Sequence, residues 1–199
     1  MRNIVLAVVA ALFATPALAD KQTAIFAGGC FWSVESDFDK VNGVLATTSG
    51  YIGGKTENPT YYDHTGAGHR EAVLVEFDSF RVTYDELAKI FFRSIDPTDA
   101  DGQFCDRGVS YTTAIYAVGE AQLAAAEKAR AAAAKELKRK TLATEVLPAP
   151  AFWPAEDYHQ DYRRKNPARY DAYRAGCARE RRVEEVWGAS AFYGLKPAS

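Results

Sequence analysis

No C-x-x-C pair occurs among the three cysteines of this 199-residue chain; Cys30, Cys105 and Cys177 stand far apart. That spacing excludes the thioredoxin-type redox motif and the zinc ribbon. The three histidines, His64, His69 and His159, are not spaced as a metal-ligand pair on a helix, so no metal is expected. A basic excess is missing too: 24 Lys and Arg face 26 Asp and Glu, a formal net charge of −2. No nucleic-acid partner is expected, because its usual footprint is a basic domain. Beyond the N-terminus no long apolar run appears, and there is no internal repeat or low-complexity tract apart from one alanine-rich stretch.

What is present begins with a leader. Met1-Arg2-Asn3 is a short positive start, Ile4 to Phe13 is unbroken apolar sequence, and Ala17-Leu18-Ala19 has the A-x-A form of a cleavage site. The pattern predicts a signal peptide over 1–19, cleavage before Asp20, and export to the periplasm. An uncleaved anchor is the alternative, although the run is shorter than the roughly 20 residues needed to span a bilayer. After cleavage no stable membrane insertion is expected. Residues 20–199 are long enough for one catalytic domain with its own core, expected to be a monomer. In an oxidising compartment a free thiol is a liability unless it has a use, and an odd cysteine count leaves at least one unpaired.

Pattern and turn chemistry predict the order of elements. Thr23–Ala27 reads as a buried strand, Cys30–Asp39 as a helix and Val44–Tyr51 as a strand, together a βαβ-type unit. Lys55 to Gly68 is loop, and Glu71–Phe77 is a strand. Thr83 to Glu86 is a capping box that opens a helix running to about Ser94. A loop to about Tyr111 precedes a strand over Thr112–Val118, a helix over Glu120–Lys140 and a short strand over Thr144–Leu147. Its basic end, Lys135 to Lys140, reads as a solvated face complementing the helix dipole. The tail is expected to be loop-rich, with helices after Asn166-Pro167 and over Ala178–Trp187. The fold class is α+β, a single domain with a mixed sheet packed by helices around a ferredoxin-like βαβ core.

Gly28-Gly29-Cys30-Phe31-Trp32 is the segment most suited to chemistry. Two glycines permit a sharp turn and close backbone approach, and Cys30 falls at a helix start. Free N–H groups and the dipole there favour negative charge, so a lowered thiol pKa and a reactive thiolate are expected. Phe31 and Trp32 put an aromatic wall beside the sulfur. A packed, inert cysteine under a glycine turn is the plainer alternative. A Cys-His hydrolase would need His64, His69 or His159 as base. Each of these reads more simply as a surface or hydrogen-bonded core residue.

GGCFW at Gly28–Trp32, GYIGG at Gly50–Gly54, NPTY at Asn58–Tyr61 and GHREAV at Gly68–Val73 occur in that order. CDRGVSY at Cys105–Tyr111, HQDY at His159–Tyr162 and KNP at Lys165–Pro167 follow. Taken together these resemble the A-type peptide methionine sulfoxide reductase family, over nearly all of the mature chain. The resemblance implies that Cys30 is the nucleophile and Glu71 the acid that protonates the sulfoxide oxygen. It implies that Tyr61 and Tyr111 bind that oxygen, that Asp106 supports their network, and that Phe31 and Trp32 receive the S-methyl group.

The reaction so implied turns Cys30 into a sulfenic acid as methionine leaves, and a second thiol then condenses with it to an intramolecular disulfide. Free and protein-bound methionine S-sulfoxide are the implied substrates. No bound cofactor is expected; an external dithiol, a thioredoxin-like protein or dithiothreitol, closes the cycle. Cys177, in a polar tail, is the expected resolving residue. Cys105 departs from the family pattern and is an alternative resolver, a partner for Cys177, or a bystander. Two other classes stand beside this reading: the hydrolase, and a non-catalytic exported domain with one structural disulfide.

Overall fold

The structure is a computed structural model that describes residues 20–195; the leader expected over 1–19 lies outside them. Strand β1 (Lys21–Ala27) leads through helix α1 (Phe31–Phe38) to β2 (Val44–Ile52) and β3 (Arg70–Asp78). Helix α2 (Tyr84–Phe92), the two-residue strands β4 (Gly102–Gln103) and β5 (Asp106–Arg107), and β6 (Ala114–Ala117) follow. Helix α3 (Glu120–Glu136), β7 (Glu145–Pro148) and β8 (Phe152–Pro154) precede three tail helices, α4 (Tyr162–Lys165), α5 (Pro167–Gly176) and α6 (Arg179–Trp187).

The main sheet has the order β7-β6-β1-β3-β2-β8. Because β1 and β2 both pair antiparallel with β3, the predicted βαβ unit is split, with β3 between its two strands. Helix α2 makes the second crossover, from β3 to β6, and the β6-β1-β3-β2 core has the expected ferredoxin-like arrangement. Among the described residues only β6 and β7 run parallel as neighbouring strands, so the sheet is mixed.

Apolar residues explain why the helices lie where they do. Phe26 on β1 stacks on Phe38 of α1 and Phe91 of α2, with ring centroids 4.8 and 5.0 Å apart. Residues either side of Phe26 point to the opposite sheet face, where Ile25 and Ala27 meet Ile52, Ala72 and Tyr116. Thr83 caps α2 as predicted, accepting the Glu86 N–H at 3.2 Å. Helix α3 stops at Glu136 rather than Lys140, since Lys138 takes a left-handed φ of 52° and the end of the basic run lies past the helix.

Strand β8 escaped prediction. Its three residues pair with Gly50, Tyr51 and Ile52, and Gln160 just beyond bonds both backbone groups of Ser49, its Oε1 taking the N–H and its Nε2 donating to the C=O, each at 2.9 Å. These contacts fasten the tail across the β2 edge. Helices α5 and α6 coincide with the expected pair. Among the described residues no helix is long and apolar enough to cross a membrane.

Candidate active site

The strand-to-helix corner between β1 and α1 builds the site. Gly29 has φ of 86°, and a Cβ there would lie 2.7 Å from the Gln103 Cβ. At Gly28 a Cβ would come within 3.0 Å of Phe91 and Val34. Gly29 is thus required by backbone conformation and by packing, and a side chain at Gly28 would oblige Phe91 and Val34 to give way. They deliver Cys30 to the N-cap of α1, where it is 7% exposed and carries a free thiol.

Glu71 reaches the same helix start from β3. The Phe31 N–H donates to its Oε2 at 2.9 Å, and the Tyr111 hydroxyl lies beside its carboxyl and favours the charged form. His64 Nε2 lies 3.9 Å from Oε1. Burial pushes the carboxyl up to about 8, with nearby Asp106 adding to the rise against the Phe31 N–H and the Tyr111 hydroxyl. Glu71 is therefore largely protonated at neutral pH and able to donate.

The expected lowering of the Cys30 pKa does not hold. Burial drives the thiol well above its ordinary value, and Glu71, once it has itself ionised above about 8, and Asp106 add to the effect. The Tyr173 hydroxyl and the Trp32 N–H act the other way but do not overcome them. The helix start is still an anion site, yet one of its free N–H groups is taken by Glu71. Desolvation outweighs what remains.

Around the sulfur stands an aromatic wall. Phe31 is buried against Tyr51 and His159, at 5.8 and 4.9 Å between ring centroids. Trp32 is half-buried; it stacks on Tyr162 at 3.6 Å and donates from Nε1 to His159 Nδ1 at 3.0 Å. Tyr61 sits at the rim, 38% exposed, with its backbone N–H held by Glu156 at 2.9 Å. All three histidines are buried rather than superficial. His69 is structural, its Nδ1 accepting the Gly54 N–H at 3.1 Å. The hydroxyl that favours the Cys30 thiolate is that of Tyr173, and no histidine acts on the thiol as the hydrolase reading requires.

Cys105 and Cys177 are joined by a disulfide with Cα atoms 4.9 Å apart. Of the three roles open to Cys105, it takes that of partner to Cys177. Cys177 is no loose tail residue, for it caps α5 and its N–H bonds the Tyr173 carbonyl at 3.0 Å. Asp106, adjacent to Cys105, accepts from the Tyr173 hydroxyl. Ligand atoms of Cys105, Asp106 and Cys177 lie within 4.8 Å of one another, but the disulfide occupies both sulfurs.

The structure therefore gathers Cys30, Glu71, Phe31, Trp32, Tyr61, Tyr111 and Asp106 at one corner, with the Cys105–Cys177 disulfide beside Asp106. Tyr173 and Glu156 are site residues that the sequence does not point to, and His159, a candidate base in the sequence, serves instead as the acceptor for Trp32. Only the spacing of Tyr173 one helical turn before Cys177 could have pointed to it.

The family model for peptide methionine sulfoxide reductase matches residues 22–191. Peptide methionine sulfoxide reductase MsrA 2 of Rhizobium meliloti is 58% identical over 177 residues, covering 89% of each chain. Among solved structures, methionine sulfoxide reductase A of Corynebacterium diphtheriae is 35% identical with a TM-score of 0.71, covering 76% of this chain and 77% of its own. Mxr1 from Saccharomyces cerevisiae in reduced form is 29% identical with a TM-score of 0.70, covering 77% of this chain and 88% of its own. Mxr1 has also been solved in complex with Trx2.

Proposed function

Because the chain belongs to the peptide methionine sulfoxide reductase family, an oxidoreductase family, we propose that it reduces methionine S-sulfoxide, free and in proteins, through Cys30. One observation carries the assignment of roles: a buried thiol and a carboxyl with its pKa at about 8 share the first turn of α1. The sulfur of the substrate meets Cys30 while its oxygen takes the Glu71 proton. Tyr111, beside Glu71, and Tyr61 at the rim are placed to hold that oxygen, a strong acceptor. Phe31 and Trp32 offer the apolar surface for the S-methyl group. Wild-type protein with dithiothreitol should convert the S epimer to methionine and leave the R epimer; equal use of both epimers would refute this specificity.

Sulfenic Cys30 is then relieved by a second thiol. Cys177 follows by one helical turn a residue whose hydroxyl favours the Cys30 thiolate, which supports it as the resolver. Cys105 next exchanges into the new disulfide, freeing Cys30 and leaving the pair seen here. Pre-reduced protein without reductant should then release about two methionines per chain, since Cys30 is regenerated once. Cys177→Ser should release about one and accumulate the sulfenic acid, with thioredoxin-supported cycling lost. If Cys105→Ser accumulates the sulfenic acid instead, the resolver is Cys105.

The reductant is an external thioredoxin-like dithiol, a reading to which the complex of Mxr1 with Trx2 lends support. Export to the periplasm and repair of oxidised exported proteins complete the proposal, on the leader pattern of 1–19. N-terminal sequencing of the protein from a periplasmic fraction should begin at Asp20. Recovery of the uncleaved chain in the cytoplasm alone would overturn this part.

A further inference from the structure

A buried thiol with a raised pKa needs somewhere to send its proton, and the roles assigned above provide none. Glu71 is itself protonated and faces the oxygen. His64 and His159 are held neutral by burial, and His159 Nδ1 is occupied by Trp32. The remaining polar side chain that acts on the sulfur to favour the thiolate is the Tyr173 hydroxyl. It lies on α5 with its ring edge-on to Trp32, 5.9 Å between centroids, and it donates to Asp106 Oδ2. Thiol, phenol and carboxylate thus form a chain from α1 through α5 to β5. The Cys105–Cys177 disulfide brackets the far end of that chain, one cysteine next to Asp106 and the other one turn after Tyr173.

We propose that Tyr173 is a catalytic residue that relays the Cys30 proton to Asp106 as the sulfur attacks the sulfoxide. This deepens the sulfoxide-reductase reading and rests on it. In the step, the S–H bond of Cys30 breaks and its proton passes to the Tyr173 oxygen, whose own proton moves to the Asp106 carboxylate. Meanwhile an S–O bond forms at Cys30, the S–O bond of the sulfoxide breaks, and the oxygen takes the Glu71 proton. Cys30 is oxidised by two electrons to the sulfenic acid and the substrate sulfur is reduced by two to the thioether. Glu71 ends as carboxylate and Asp106 as acid, and exchange with solvent restores both.

The two members of the relay have opposite effects on the thiol, which gives a test. The groups that bear on the Cys30 charge are Glu71, Asp106, Tyr61, Tyr111 and Tyr173, with Arg179 acting on Asp106. In a Cys105→Ser/Cys177→Ser background Cys30 is the sole thiol, and its ionisation is read from the pH profile of iodoacetamide alkylation. Tyr173→Phe removes the hydroxyl that favours the thiolate and should move that profile up by about one pH unit. Asp106→Asn removes a negative neighbour and should move it down. Both should nonetheless slow single-turnover methionine release by about 10- to 100-fold with substrate affinity within about two-fold, because each breaks the relay. Unchanged release in either folded variant overturns the relay. So does a loss confined to affinity, or the same direction of alkylation shift in both. If one variant fails to fold, the other decides. Wild-type protein that alkylates as described yet releases no methionine would instead refute the underlying reductase reading.

Discussion

Cys30→Ser should abolish methionine sulfoxide reduction, lowering single-turnover release by at least about 10⁴-fold, to the uncatalysed background. Serine fits the site, since Cys30 sits at an N-cap, a position that serine favours. The fold should persist, and the loss would then be chemical. A hydroxyl at this buried corner is a far poorer nucleophile toward sulfur, and it cannot occupy the sulfenic state on which the cycle depends. The Cys105–Cys177 disulfide does not contain Cys30, so its reduction and its reoxidation by an added oxidant should continue in the variant. That separates loss of the nucleophile from loss of the second redox pair.

Glu71→Gln should cost about 10²- to 10⁴-fold in the same single turnover. Glutamine can still accept the Phe31 N–H, so the corner stays assembled, but it has no proton to give to the leaving oxygen. The pH dependence follows from the carboxyl at about 8: wild-type turnover should fall as pH rises through that value, whereas the variant's residual rate should not track it. Stability carries an independent sign. Glu71 has a folded-state pKa above its ordinary value, so its contribution is fully present below about 4.5 and is lost as pH rises to about 8. Above that, the folded state holds a buried carboxylate that glutamine lacks. At pH 9 the variant should therefore be the more stable protein, by up to about 5 kcal/mol. A variant less stable than wild type at pH 9 would mean that the carboxylate is satisfied when charged, against the proton-donor role.

What could be read in advance was whatever a short stretch of chain determines. Gly28-Gly29 before Cys30 announced a tight strand-to-helix corner, because only glycine combines a positive φ with the contact at Gln103. Thr83 with Glu86 marked the start of α2 for the same local reason. Strands β4, β5 and β8 had no such signature: at two or three residues they are strands only because a partner lies alongside. The ionisation of Cys30 depends on the same distinction. A helix start is visible in sequence, whereas burial and the approach of Glu71 and Asp106 come from β3 and β5, forty and more residues away. Nothing in sequence links positions 30, 106 and 173; α5 joins them as part of a tail that Gln160 and β8 hold to β2.

The most direct measurement is a reductant-free single turnover on pre-reduced protein with methionine S-sulfoxide, counting methionine and trapping Cys30 with dimedone before mass spectrometry. The account predicts about two methionines per chain, with Cys105 joined to Cys177 and the dimedone adduct on Cys30. No methionine from a folded, fully reduced chain, or methionine released with Cys30 never trapped, would contradict it.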